Sequence, residues 1–376
     1  MESAGVKTAD DTTAGKEGTG PEVGNRQSPR RPRIEPRSLV RPAVVGVLVL
    51  LALLLIPSIF SLYYVDAWTQ VAIYSIVTLG LGLLVGRVGM VSLGQGAVLA
   101  LGAWVAARLL FATGLSYPFV LLGAGLITMV LGTLVGLPAL RLSGLYLALI
   151  TLMLAGAITV VLTTINFPNG GHGFTGRTST PDLSGLQPVG RPGIAGGDTA
   201  YYRYTIVVCA LMFLLIAAHF ASKPGRAWAS IRESEPAALA TGVNIVRYKL
   251  WAFALASFTT GVAGGLLAAQ LGQPTAFGFP TQDSLTLLAA ALIGGIYSLW
   301  GAVIAGAFSQ LAPFLFQAQW GIDPNFLLII FGVGLLQVLL TAPRGIVVQM
   351  PKDIANLGKL GAHLFRKVTG GSRSPE

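Results

Sequence analysis

The sequence predicts an all-α, polytopic membrane protein of about ten transmembrane helices, and three observations carry that prediction. Apolar side chains make up 53% of the 376 residues and charged ones only 11%, with a mean hydropathy of +0.70; a soluble chain of this size does not show that balance. The apolar residues gather into runs of 15 to 24, close to the roughly 20 needed to cross about 30 Å of hydrocarbon. Lysines and arginines lie mostly between the runs, and mostly in every second gap, as the positive-inside rule requires.

Residues 1–42 are rich in Gly, Pro, Ser, Thr and charge, with no apolar periodicity, and read as a disordered basic tail. Six arginines from Arg26 to Arg41 crowd the approach to the first apolar run, and no small-residue cleavage site follows, so that run is a retained span rather than a signal peptide. The membrane domain covers residues 43–342, with spans at 43–60, 69–86, 92–112, 118–138, 145–165, 202–221, 248–271, 284–298, 301–317 and 325–342. The eighth and ninth are short and Gly-rich, which fits a broken or re-entrant segment. Residues 166–201 form one long external loop, residues 222–248 a central polar loop, and residues 343–376 a C-terminal tail.

Starting inside, the N-terminal tail, the turns at Arg87 and Arg141, the central loop through Lys249 and the C-terminal tail hold 21 of the 25 Lys and Arg. Both termini are therefore expected in the cytoplasm. Topology accounts for the formal charge of +10, and no nucleic-acid partner is needed. Within the central loop, Pro236 suits the first turn of a short helix and Gly242 a left-handed residue that ends it. Gly82/Gly86, Gly132/Gly136 and Gly261/Gly265 stand at the GxxxG spacing of close helix packing, although such pairs arise easily by chance with 48 glycines. A similar weakness attends an echo between Ser92–Ala100 and Ser298–Ala305, which aligns only with a one-residue gap.

Several chemistries are missing. The 15 acidic residues lie in tails, loops or span ends, the last including Asp66, Asp283 and Asp323. Ion-coupled carriers commonly use carboxylates inside the membrane, so that class loses weight. No GxxxxGK[ST] loop occurs, so the chain does not hydrolyse nucleotide. His172, His219 and His363 are far apart, and Cys209 is the only cysteine. Neither a metal site, a cofactor site nor a disulfide follows from them.

Polar and bend-prone residues recur within the bilayer zone instead. Gly89, Ser92, Gly94 and Gln95 open the third span, Gly144 and Tyr146 the fifth, and Gly294 and Gly295 stand between the eighth and ninth. Glycine lets backbone unwind, and Ser, Gln or Tyr hydrogen-bonds a solute or a neighbouring helix. These eight residues are the candidates for a translocation path, with helix packing as the plainer account of each.

Six blocks in order carry a family resemblance: GRVGMVSLGQGAVLALGAW, RLSGLYLALITL, NGGHG, GRAWASIRESEPAALATGVNIVRYK with the span after it, ALIGGIYSLWGAVIAGA, and FLLIIFGVGLLQVLLTAPRGI. Together, over about residues 70–348, they resemble the permeases of branched-chain amino acid ABC transporters of the LivM type. That resemblance implies a multi-pass subunit of the bacterial plasma (inner) membrane. Its partners would be a second, LivH-like permease, two cytoplasmic ATPases that use the ATP, and an extracytoplasmic substrate-binding protein. It further implies that Glu235, Pro236, Ala237, Ala238 and Gly242, with Arg232 and Glu233 beside them, form the coupling helix that docks on an ATPase. Gln95 stands where the family usually has histidine, so urea, short amides or another small metabolite remain alternative solutes. A stand-alone channel or secondary carrier is the alternative from another class.

Overall fold

The computed structural model describes residues 37–113, 115–139, 144–164, 190–272, 274, 279–321 and 324–341. The expected tails lie almost wholly outside these residues, as does most of the external loop. The chain divides into two compact units, Met1–Val47 and Leu48–Glu376. The described part of the first is the beginning of helix α1, Arg37–Ile59; the rest of the fold belongs to the second.

Each of the ten expected spans falls on a helix. After α1 come α2 (Leu62–Leu81), α3 (Gln95–Thr113), α4 (Tyr117–Ala139), α5 (Leu145–Thr164) and α6 (Asp198–Ala221). Two short helices, α7 (Lys223–Glu233) and α8 (Glu235–Ala240), occupy the central loop. The chain then returns through α9 (Ile245–Leu271), α10 (Asp283–Gly294), α11 (Leu299–Trp320) and α12 (Pro324–Thr341). Among the described residues, the stretches Leu62–Val88, Tyr117–Leu134, Asp198–Ala221, Ile245–Leu271 and Leu299–Gln317 are each long and apolar enough to cross a membrane unaided.

Helix α9 is the axis of the bundle. Every residue from Ala252 to Ala269 except Phe258 is buried, as expected of a helix that is apolar on all sides. It packs against α2, α3 and α4, while α2 also packs against α6 and α11. Small residues set these distances. A Cβ at Gly102 of α3 would lie 2.6 Å from the Cα of Gly261, so α3 and α9 cross backbone to backbone. On the α4 side of α9, Gly132 and Gly136 receive Ser257 and Phe253, and Gly261 and Gly265 receive Thr128 and Leu121. Two of the three glycine pairs in the sequence thus form one reciprocal interface.

Three interruptions distinguish this bundle from a set of plain spans. First, α2 continues from Gly82 to Val88 as a π-helical turn and stops at Gly89, whose φ is +84°. Second, residues 89–94 run without regular secondary structure before α3 begins at Gln95. Thr260, the sixteenth of the 27 residues of α9, donates its hydroxyl to Gln95 Oε1 at 2.9 Å. The start of α3 therefore lies near the middle of α9, not at a face of the bundle. Third, α10 has only 12 residues, about 18 Å of helix, too short for a full crossing. Its second residue, Ser284, accepts a hydrogen bond from Gly96 N at 3.1 Å. That contact corrects the expectation for Asp283: it sits at the end of a helix, but the end is inside the bundle at the depth of α3's first turn.

Candidate functional site

The central loop folds into a compact α7–α8 module because its sequence supplies a break and two caps. Helix α6 stops at Ser222, where the backbone is extended, and Pro224 occupies the first turn of α7. Ala227, Trp228 and Ile231 form the buried stripe of α7. Trp228 is fully buried, and its indole Nε1 donates to the carbonyl of Tyr248 at 2.8 Å. Ser234, again extended, ends α7 and caps α8, its hydroxyl accepting from Ala237 N.

Helix α8 closes with a Schellman arrangement. Val243 N donates to Ala238 O and Gly242 N to Leu239 O, at 3.0 and 2.9 Å, and Gly242 takes a φ of +79° that favours glycine. The underside of α8 is fixed: Ala238 is buried, and Glu235 Oε1 meets Lys249 Nζ of α9 at 2.6 Å. Its upper side is bare, with Pro236, Ala237, Leu239 and Ala240 exposed. An apolar, rigid surface between charged residues results.

Arg232 behaves differently from its neighbours. It donates to the carbonyl of Gly86 at the end of the π-helical turn, and its guanidinium lies 4.4 Å above the ring of Tyr297. Tyr297 belongs to the tight turn between α10 and α11, where Gly295 has a φ of +107°. The two segments that Arg232 touches also touch each other, because a Cβ on Gly86 would come within 1.9 Å of the Ile296 carbonyl oxygen. The module is thereby tied to two of the three interruptions. Between them a narrow cleft is lined by Thr78, Leu83, Arg87, Phe220, Tyr297 and Ser298.

The remaining interruption, residues 89–94 before α3, is held by hydroxyls from three other helices. Leu93 N donates to Thr151 Oγ1 of α5 at 2.9 Å, Gly96 N donates to Ser284 Oγ of α10, and Gln95 accepts from Thr260 of α9. Ser92, Gln95, Thr151, Thr260 and Ser284 are all buried. Non-helical backbone inside a membrane protein needs such partners, since lipid offers none. Sequence reasoning picked out Ser92, Gly94 and Gln95 but passed over Thr151, Thr260 and Ser284. A hydroxyl in the middle of an apolar run was their only signal.

The eight path candidates do not form one site. Ser92, Gly94 and Gln95 gather at the start of α3, whereas Gly89 lies beside the Arg232 side chain. Gly294 and Gly295 pack against Gly301 of α11. Gly144, just before α5, and Tyr146 on it stand apart from these, Tyr146 being 73% exposed while Leu147, Ala148 and Thr151 are buried. Of the seven coupling candidates, Glu235 to Gly242 share α8 and its cap, Glu233 is exposed at the end of α7, and Arg232 turns toward the bundle.

A multi-pass bundle with interrupted helices at mid-depth and a capped knob on one face has the construction of a membrane permease. Residues 63–339 match the family described as "Branched-chain amino acid transport system / permease component", and the chain belongs to that family. It is 32% identical to the high-affinity branched-chain amino acid transport system permease protein LivM of Salmonella typhimurium, over 71% of this chain and 68% of the relative. Against the LivM protein of Escherichia coli K12 the identity is 32%, over 66% of this chain and 62% of the relative, so the chain spans somewhat under two thirds of that protein's length. The ribose import permease protein RbsC of Escherichia coli K12 is 26% identical over 70% of this chain and 83% of its own length. No solved structure matches.

Proposed function

We propose that this chain is the membrane-spanning permease subunit of an ABC importer carrying branched-chain or related amino acids into the cytoplasm. It would sit in a bacterial plasma (inner) membrane with both termini inside, paired with a second, LivH-like permease. Two cytoplasmic ATPases would hydrolyse the ATP, and an extracytoplasmic binding protein would deliver the solute. Membership of the permease family supports the transport role, and the names of the LivM relatives support the solute class.

The observation that carries the mechanism is the α8 knob. A six-residue helix with a locked underside and an exposed apolar top suits a groove on a partner and moves as a rigid body. Through Trp228 and Lys249 its displacement passes to α9, and through Arg232 to the ends of α2 and α10. Charge placed on the knob tests this. In vesicles holding the whole transporter, Leu239→Arg and Ala237→Arg are expected to abolish leucine uptake while the chain stays in the membrane. Wild-type uptake in both variants would sink the docking assignment.

A further inference from the structure

Asp283 is the one carboxylate among the described residues that the bundle carries to mid-depth. Asp66 and Asp198 lie near the starts of α2 and α6, and Glu233 and Glu235 lie on the central loop. Two contacts and one position in a helix fix the level of Asp283. Its neighbour Ser284 meets Gly96, Gln95 beside Gly96 meets Thr260, and Thr260 is near the midpoint of α9. From the other end, α10 finishes at the Gly294–Tyr297 turn against Gly86 and Arg232. Its 12 residues put Asp283 about 16–18 Å above that turn.

At this level the first turn of α10 shows a polar face to the outside of the bundle. Gln282 and Leu285 are exposed and Asp283 and Thr286 half-buried, whereas Ser284 and Leu287 point inward. Lipid is a poor neighbour for that face, because a charged group at the bilayer centre is expensive and marks a solute or ion path. The carboxylate also lacks a hydrogen-bond or ion-pair partner among the described residues, while the backbone N–H of Asp283 donates to Pro280 O at 2.9 Å. The amino end of α10 favours a negative charge there.

We infer that Asp283 lines the translocation path and receives the α-ammonium group of the passing amino acid, an inference that rests on the solute class given above. A carboxylate at this position distinguishes a zwitterion from an uncharged solute of similar size. Gln282 and Thr286, on the same face, supply neutral hydrogen-bonding groups beside it.

Two measurements on the complete transporter in vesicles test this. In a Cys209→Ala background, Asp283→Cys is expected to react with a cationic methanethiosulfonate at least tenfold faster than Ala290→Cys, which lies fully buried on the same helix. Saturating leucine with the binding protein should slow that reaction. At saturating leucine, Asp283→Asn should lower the uptake rate at least tenfold with KM unchanged, and Asp283→Glu should recover most of it; a packing defect would lower the amount of assembled transporter in the vesicles, and Asp283→Glu would not recover it. Labelling of Asp283→Cys no faster than of Ala290→Cys overturns the path assignment. Wild-type uptake by Asp283→Asn overturns the ammonium assignment. A wild-type transporter that moves no amino acid at all would instead overturn the function proposed above, and the labelling rates would still decide whether Asp283 faces water.

Discussion

Lys249, near the start of α9, holds Glu235, the first residue of α8, through a 2.6 Å ion pair in which the lysine is buried and the glutamate half-exposed. The asymmetry sets the order of damage. Removing Glu235 leaves a buried ammonium without its acceptor, while removing Lys249 leaves a carboxylate that water reaches. Glu235→Ala should therefore destabilise the purified chain by about 1–2 kcal/mol, and Lys249→Met by less. Thermal unfolding in detergent would show it as a lower midpoint for the glutamate variant, and the reverse order would contradict the assignment of burial.

Gly242 separates conformation from space. Its φ is +79°, yet a Cβ there would meet nothing within 4 Å. Gly242→Asn, which tolerates the left-handed region, should retain most uptake, and Gly242→Val should lose it at a strain of about 1–2 kcal/mol. Comparing the two uptake rates at matched membrane abundance is the measurement.

Gly86 is the opposite case. Gly86→Ala would press a methyl group into the Ile296 carbonyl, and backbone on both sides leaves no flexible atom to yield. We expect a loss of folded protein on the scale of overpacking, about 1–3 kcal/mol. Gly156→Ala on α5, where space is open, should be neutral or stabilising by up to about 1 kcal/mol. Detergent-solubilised yield and melting temperature report both.

Thr151→Val keeps the shape of the side chain and removes the acceptor for Leu93 N. A buried amide left without a partner costs about 1–3 kcal/mol, whereas Thr151→Ser restores the bond. A melting midpoint for Thr151→Val equal to that of Thr151→Ser would show that the 89–94 segment is held by something else.

Much of this fold was legible in the sequence because lipid imposes a length and a sidedness. Ten apolar runs gave ten helices, and Pro236 and Gly242 bracketed α8 as their chemistry requires. Arg232 was expected to serve the ATPase contact from its place beside that helix, and what the sequence left open is that its side chain reaches Gly86 and Tyr297. Sequence adjacency does not disclose which way a long side chain folds. Depth was equally hidden. Apolar composition marks where a run begins in the chain, not where its first residue stands in the bilayer, so the inward starts of α3 and α10 and the position of Asp283 needed the contacts of Gln95, Gly96 and Ser284. The faint echo between Ser92–Ala100 and Ser298–Ala305 acquires one physical counterpart. Each serine follows a left-handed glycine by three residues, Gly89 and Gly295, and each precedes a new helix.

The length of α9 has a mechanical consequence. One uninterrupted helix bears the Trp228 and Glu235 contacts at Tyr248 and Lys249, near its amino end, and holds Gln95 through Thr260 about three turns later, a lever arm of about 17 Å. Pivoted at its loaded end, such an arm swings its midpoint sideways by about 3 Å for a tilt of about 10°. Nothing needs to unfold, and no relay of separate side chains is required, for a nudge at the membrane surface to reopen the spacing around Gln95 in the bilayer's interior.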